Sequence, residues 1–168
     1  GSGADLQVPP YTTRPNLSDG GVYDNMGLET VFKQFKTIIV SNAGGKYQAE
    51  ANIPRDWVRQ SYRVMETIDN QVRSLRKRAL LSSLKSKARF GVYWSIRSDI
   101  DGFPAENKLP CPHARTLQLA RIKTDLAEKD QATQRQLINW GYALCDAGIR
   151  SWVEKVDIEP PTDFPYPA

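Results

Sequence analysis

Between Met26 and Phe35, apolar side chains recur at Met26, Leu28, Val31, Phe32 and Phe35, the spacing of a short amphipathic helix. Directly after it, Thr37-Ile38-Ile39-Val40 runs without a polar interruption. Its length and β-branching predict a buried strand of the parallel kind. The exit from that strand, Ser41-Asn42-Ala43-Gly44-Gly45, is small and turn-forming, at the end of a strand where open α/β sheets place their ligands. After Pro54 no Gly or Pro occurs until beyond residue 87, and Val58, Met65, Val72 and Ala79 fall seven apart with Ile68 and Leu75 between them. This predicts one long helix whose candidate break is Ser82-Ser83. Its apolar stripe reads as a core face rather than a coiled-coil seam, since Ser61 and Ser82 occupy the alternating positions. Phe90, Val92, Trp94 and Ile96 alternate and predict a second strand. Residues 99–113 read as loop, and Thr116 to Ile122 as a short helix. Residues 130–153 read as a second long helix with Leu137, Gly141, Leu144, Cys145, Gly148, Ile149 and Trp152 on one broad face. Gly141 and Gly148 each cost a helix about 1 kcal/mol relative to Ala, so close packing against another backbone is expected there.

Three segments follow from this punctuation. Residues 1–16 are a polar lead-in from which Pro9, Pro10 and Pro15 exclude a helix, and Gly1-Ser2-Gly3 has the composition of a linker scar. Residues 17–153 are the folded body, and 154–168 a proline-rich tail expected to be extended from Glu159 onward. At 168 residues and 40% hydrophobic, the chain is long enough for one domain with a core. It contains no apolar run of about 18 residues and no signal-peptide pattern, neither of which fixes a compartment; a cytoplasmic or peripheral-membrane setting is the expectation. Its two cysteines are too few for a disulfide framework. Cys145 reads as a buried thiol. Cys111, in Leu109-Pro110-Cys111-Pro112-His113, reads as part of a loop connection, because a zinc site needs four ligands and a Cys-x-His pair supplies two.

Charge is unevenly spread. Residues 55–97 carry eleven Lys and Arg against three acidic residues, a net of +8 in a chain whose total is +4. Arg73, Arg76, Lys77 and Arg78 are therefore candidates for contact with an anionic membrane surface, set against the plainer reading of a solvated helix face. Nucleic acid ranks below both, since the sequence holds no nucleic-acid module and does not interleave its basic residues with aromatics.

The candidate chemistry lies upstream of the first strand, in Leu17-Ser18-Asp19-Gly20-Gly21-Val22-Tyr23-Asp24-Asn25-Met26-Gly27-Leu28-Glu29. An Asp followed by two glycines suits a sharp turn, because glycine reaches positive φ at little cost; Gly20 and Gly21 are expected to shape the turn that presents Asp19. An ordinary Asp-Gly turn is the competing reading. This motif, the spacer, the strand and the small-residue exit together resemble the C-terminal part of patatin-like phospholipases. Gln71 with Leu75-Arg76-Lys77-Arg78, Tyr93-Trp94, and Leu137-Ile138-Asn139-Trp140-Gly141-Tyr142-Ala143 with Asp146 are similar to the bacterial branch of that family. The resemblance covers most of residues 14–153.

It implies the C-terminal part of a three-layer α/β/α hydrolase that cleaves lipid or phospholipid esters with a Ser-Asp dyad and without metal or organic cofactor. Asp19 is the matching base. The Gly-x-Ser-x-Gly elbow and the Gly-rich oxyanion loop, which precede the Asp motif in this family, have no counterpart here. Ser18 points away if Asp19 faces the site, and Ser41 lacks an elbow glycine. The expectation is a chain that is inactive alone and whose partner is a preceding segment of the same protein. The alternative is a noncatalytic scaffold or anionic-surface-binding protein. Asn42 stands where relatives often carry a carboxylate, and reads as a strand-end turn residue.

Overall fold

The computed structural model describes residues 7–15, 17–49, 51–53, 55–125, 127–153 and 157–167. The linker reading of residues 1–3 and the start of the tail at 154–156 lie outside them. Two short helices, α1 (Gly21–Asp24) and α2 (Leu28–Gln34), precede strand β1 (Thr37–Asn42). The long helix α3 (Trp57–Lys85), strand β2 (Phe90–Ser95), a 3-10 turn (Ile100–Gly102), α4 (His113–Leu119) and α5 (Gln131–Trp152) follow. The two strands pair in parallel, from Thr37 with Phe90 to Asn42 with Ser95. β1–α3–β2 is thus one βαβ unit, the connection that parallel strands require. The class is α/β, with a small two-stranded sheet.

Each face of the sheet has its own core. Ile38 and Val40 of β1, with Tyr93 of β2, pack with Leu28 of α2 and Leu80 of α3. On the opposite face Val92 and Trp94 meet Trp140, Ala143, Leu144 and Ala147 of α5, and Phe103, Leu109 and Leu119 close that cluster. α5 packs on β2 and leaves β1 half open on this side: Ile39, the register partner of Val92, is 50% exposed. The run Thr37–Val40 is therefore a strand buried on one face only, where the sequence predicts burial throughout.

Four other expectations change. Helix α3 continues through Ser82 and Ser83 to Lys85, because the Ser83 hydroxyl turns back onto the Leu80 carbonyl at 2.7 Å and leaves the helix intact. Its apolar stripe is not core among the described residues: Val58, Met65, Ile68 and Leu75 are all at least half exposed, and only Leu80 is buried. The short helix starts at His113, inside the expected loop, and ends at Leu119. Gly148 does pack closely, since a Cβ there would lie 3.0 Å from Val92 Cγ2, but Gly141 faces open space. The proline-rich tail has no helix or strand among its described residues and is tied to α5: Asn139 donates to the Tyr166 carbonyl at 2.8 Å and accepts the Tyr166 N–H at 3.0 Å.

Candidate functional site

Asp19 stands at the entrance to α1. Its Oδ1 accepts the Gly21 N–H at 2.6 Å, while Oδ2 makes no hydrogen bond among the described residues. One oxygen is fixed by the backbone and the other is open to solvent. The glycines do not act as the sequence suggests. Gly20 sits at φ −59°, ψ −25°, and neither Gly20 nor Gly21 has a positive φ, because the chain enters a helix here instead of reversing. Gly21 contributes through its missing side chain: a Cβ would lie 2.9 Å from both Asp19 Oδ1 and Asn25 Oδ1. The glycine in a left-handed conformation is Gly27, at φ +61°, which separates α1 from α2, so the helix expected from Met26 to Phe35 begins only at Leu28.

Asp24 fixes this turn to the rest of the fold. Its Oδ2 accepts the Glu29 N–H at 2.6 Å, serving the start of α2 that Gly27 cannot cap. Its Oδ1 lies 2.5 Å from Arg76 of α3, and Arg76 also donates to the Tyr23 carbonyl at 3.1 Å. Nearby, hydrogen bonding to Glu29 pushes the Tyr23 phenol up, and Lys33 followed by Tyr23 holds the Glu29 carboxyl below its usual value.

Asp19, Gly21, Arg73 and Arg76 share a groove of about 530 Å³ between α1 and α3, whose apolar wall is Val22, Met26, Met65, Ile68 and Val72. No Ser, Thr, Cys or His lines it among the described residues. Gly20 is not part of it.

The four basic candidates do not form one surface. Arg76 is committed to Asp24, and Arg73 to Asp69 at 3.0 Å. Lys77 lies 5.2 Å from the centre of the Tyr93 ring and faces a cleft at the sheet's carboxyl end. Arg78 is exposed beside Leu81 and Lys85. Only Lys77 and Arg78 are exposed, because α3 turns its 73/76 edge inward to hold its neighbours.

Cys111 is buried with its sulfur 3.8 Å from Thr116 Oγ1, and burial pushes its thiol up, as it does that of Cys145. His113 lies 3.6 Å from Asp99 and 3.3 Å from the Arg97 carbonyl. No three His, Cys, Asp or Glu residues gather as a metal site among the described residues. Asn42 is a strand-end turn residue, its Oδ1 accepting the Gly44 N–H at 2.9 Å.

Sequence reasoning left Asp24 without a role, although it is part of the same motif. It also passed over Lys46 and Arg97, whose charges are isolated in sequence and meet only when the strands pair. No family model, no curated relative and no solved structure matches the chain.

Proposed function

We propose that this chain is the carboxyl-terminal part of a patatin-like serine lipid acyl hydrolase with a three-layer α/β/α fold, in which Asp19 is the general base of a Ser-Asp dyad. The observation that carries the reading is an open Asp19 carboxylate beside the exposed apolar face of α3. A carboxylate needs such a place to work on a hydrophobic ester: one oxygen held, the other free to take a proton, and apolar walls for the acyl chain. The nucleophilic serine comes from a preceding segment of the same protein that packs on this face. Asp19 takes the serine proton as the oxygen attacks the ester carbonyl, and returns it to the departing alcohol. Water then hydrolyses the acyl-enzyme by the same route in reverse. The chain on its own is inactive.

The test is to read the native coding region upstream of Gly1, express the complete protein and treat it with a serine-directed fluorophosphonate. Labelling of an upstream elbow serine, with turnover of a lipid ester that Asp19→Asn lowers about a hundredfold or more, is the expected outcome. Near-normal turnover by that variant removes Asp19 from the mechanism, and an upstream region with neither elbow nor labelling leaves a noncatalytic scaffold.

A further inference from the structure

A second concavity, of about 360 Å³, lies at the carboxyl ends of β1 and β2 and has a different chemistry from the Asp19 groove. Lys46 follows β1, Arg73 and Lys77 come from α3, and Arg97 follows β2; all four line it together with Asn42 and Tyr93. No carboxylate lines it among the described residues. Strand carboxyl ends are where α/β sheets receive ligands, because successive loops diverge there and leave backbone and side chains facing a common space.

The positive charge is only partly answered from within the chain. Asp69 pairs with Arg73, yet Arg73 Nε is buried and makes no hydrogen bond among the described residues. Arg97 donates to the Ala120 carbonyl at 3.2 Å, a neutral partner that orients the guanidinium without cancelling its charge. Lys77 meets the Tyr93 ring, and Lys46 is exposed. Asn42 supports the Tyr93 hydroxyl with an amide N–H at 3.0 Å. A carboxylate could take the same position by accepting from that hydroxyl, so a neutral side chain here keeps a negative charge out of the cleft.

We infer that this cleft binds a phosphate group, as a phosphomonoester or phosphodiester. Arg73 and Arg97 supply guanidinium N–H donors beyond those given to Asp69 and the Ala120 carbonyl, and two ammonium groups supply point charges, a combination that recognises phosphate oxygens. The inference needs no acyl chemistry and stands apart from the role given to Asp19.

Titration of the 168-residue chain with inorganic phosphate, followed by calorimetry and by the amide resonances of Gly44, Gly45 and Ser95, tests it. Saturable binding is expected, weakened about tenfold or more in Asn42→Asp, where a like charge enters the cleft and the local contacts persist. Lys77→Gln should weaken it about threefold or more, and Arg78→Gln, one residue on but outside the cleft, by less than about twofold. Circular dichroism of each variant establishes that it is folded. Absence of saturable binding to the parent chain overturns the inference, as does equal weakening by Arg78→Gln and Lys77→Gln. Flotation with phosphatidylglycerol vesicles identifies the source: flotation that is lost in Asn42→Asp assigns the phosphate to a lipid headgroup, and flotation absent or unchanged assigns it to a soluble phosphoester.

Discussion

The link between Asp24 and Arg76 should hold the Asp19 turn in place, and a double-mutant cycle measures it. The carboxylate is 10% exposed and the guanidinium 28%, at 2.5 Å. Removing one partner of a fully buried pair costs about 3–5 kcal/mol, whereas exposed pairs contribute about 0.2–1 kcal/mol. An intermediate burial places Arg76→Met at about 1.5–3 kcal/mol of destabilisation, including the lost hydrogen bond to the Tyr23 carbonyl. Asp24→Asn keeps an acceptor for the Glu29 N–H and loses only the charge, so it should cost less. The coupling between the two substitutions should be about 1–2 kcal/mol, because residues in direct contact are not additive.

Urea unfolding followed by circular dichroism gives the four stabilities, and hydrogen exchange supplies the local test. The Val22 N–H bonds to the Asp19 carbonyl at 3.0 Å and the Asp24 N–H to the Gly20 carbonyl at 3.0 Å, so both amides should exchange faster in Arg76→Met than those of α5. A coupling below about 0.3 kcal/mol, with unchanged exchange in α1, would refute the claim that this ion pair positions the turn.

Gly91→Ala should prevent folding or cost more than about 3 kcal/mol, because Gly91 has φ +122° and an added Cβ would collide with the Ile38 backbone across the register; Gly102→Ala, facing open space, is the matched control in thermal melts. Trp140→Phe should cost about 2–4 kcal/mol in urea, since it opens a cavity and removes the 2.8 Å Nε1–H donor to the wholly buried Thr116 hydroxyl. Asp130 caps α5, and hydrogen bonds from the Thr133 hydroxyl and then its N–H hold the Asp130 carboxyl below its usual value. A lowered folded-state pKa gives stability present above the unfolded value and lost as pH falls through the folded one. Tm should therefore drop less in Asp130→Ala than in the parent between about pH 5 and about pH 3, and parallel drops would show that the cap does not titrate.

The elements that the sequence defines well are those whose pattern is local. The strand at Thr37–Val40, its partner at Phe90 onward and the two long helices carry their own periodicity and caps, and Asp56 and Asp130 stand at the helix starts with carboxylates on the Arg59 and Thr133 amides. What could not be read is relational. The alternation Phe90, Val92, Trp94 identifies a strand but does not reveal that Gly91 faces a neighbouring backbone. The Asp-Gly-Gly motif singles out Asp19 without saying whether the glycines bend the chain or make room for the carboxylate. Four cations adjacent in sequence on α3 read as one patch, yet 100° of rotation per residue sends Arg73 and Arg76 into ion pairs and leaves Arg78 in solvent. Lys46, Lys77 and Arg97 are distant in sequence and meet only through the parallel register.

The α3 stripe sharpens this distinction. A seven-residue repeat of Val58, Met65 and Val72 reports that a face is built to be covered, not what covers it. Buried apolar area is worth about 25 cal/mol per Å², so leaving several such side chains in water forgoes stability that few domains can spare. The face is adjacent to Asp19, and Met65, Ile68 and Val72 line the same groove. A stretch of chain docking there would bury the stripe and enclose the carboxylate in one step, coupling folding of the complete protein to assembly of its site. Under that coupling, Met65→Lys in the complete protein should lower stability and fluorophosphonate labelling together, while leaving the isolated chain's urea midpoint unchanged because Met65 is already 67% exposed there. A midpoint that falls equally in both proteins would show that α3 is stabilised from within this chain, and would leave the open face unrelated to Asp19.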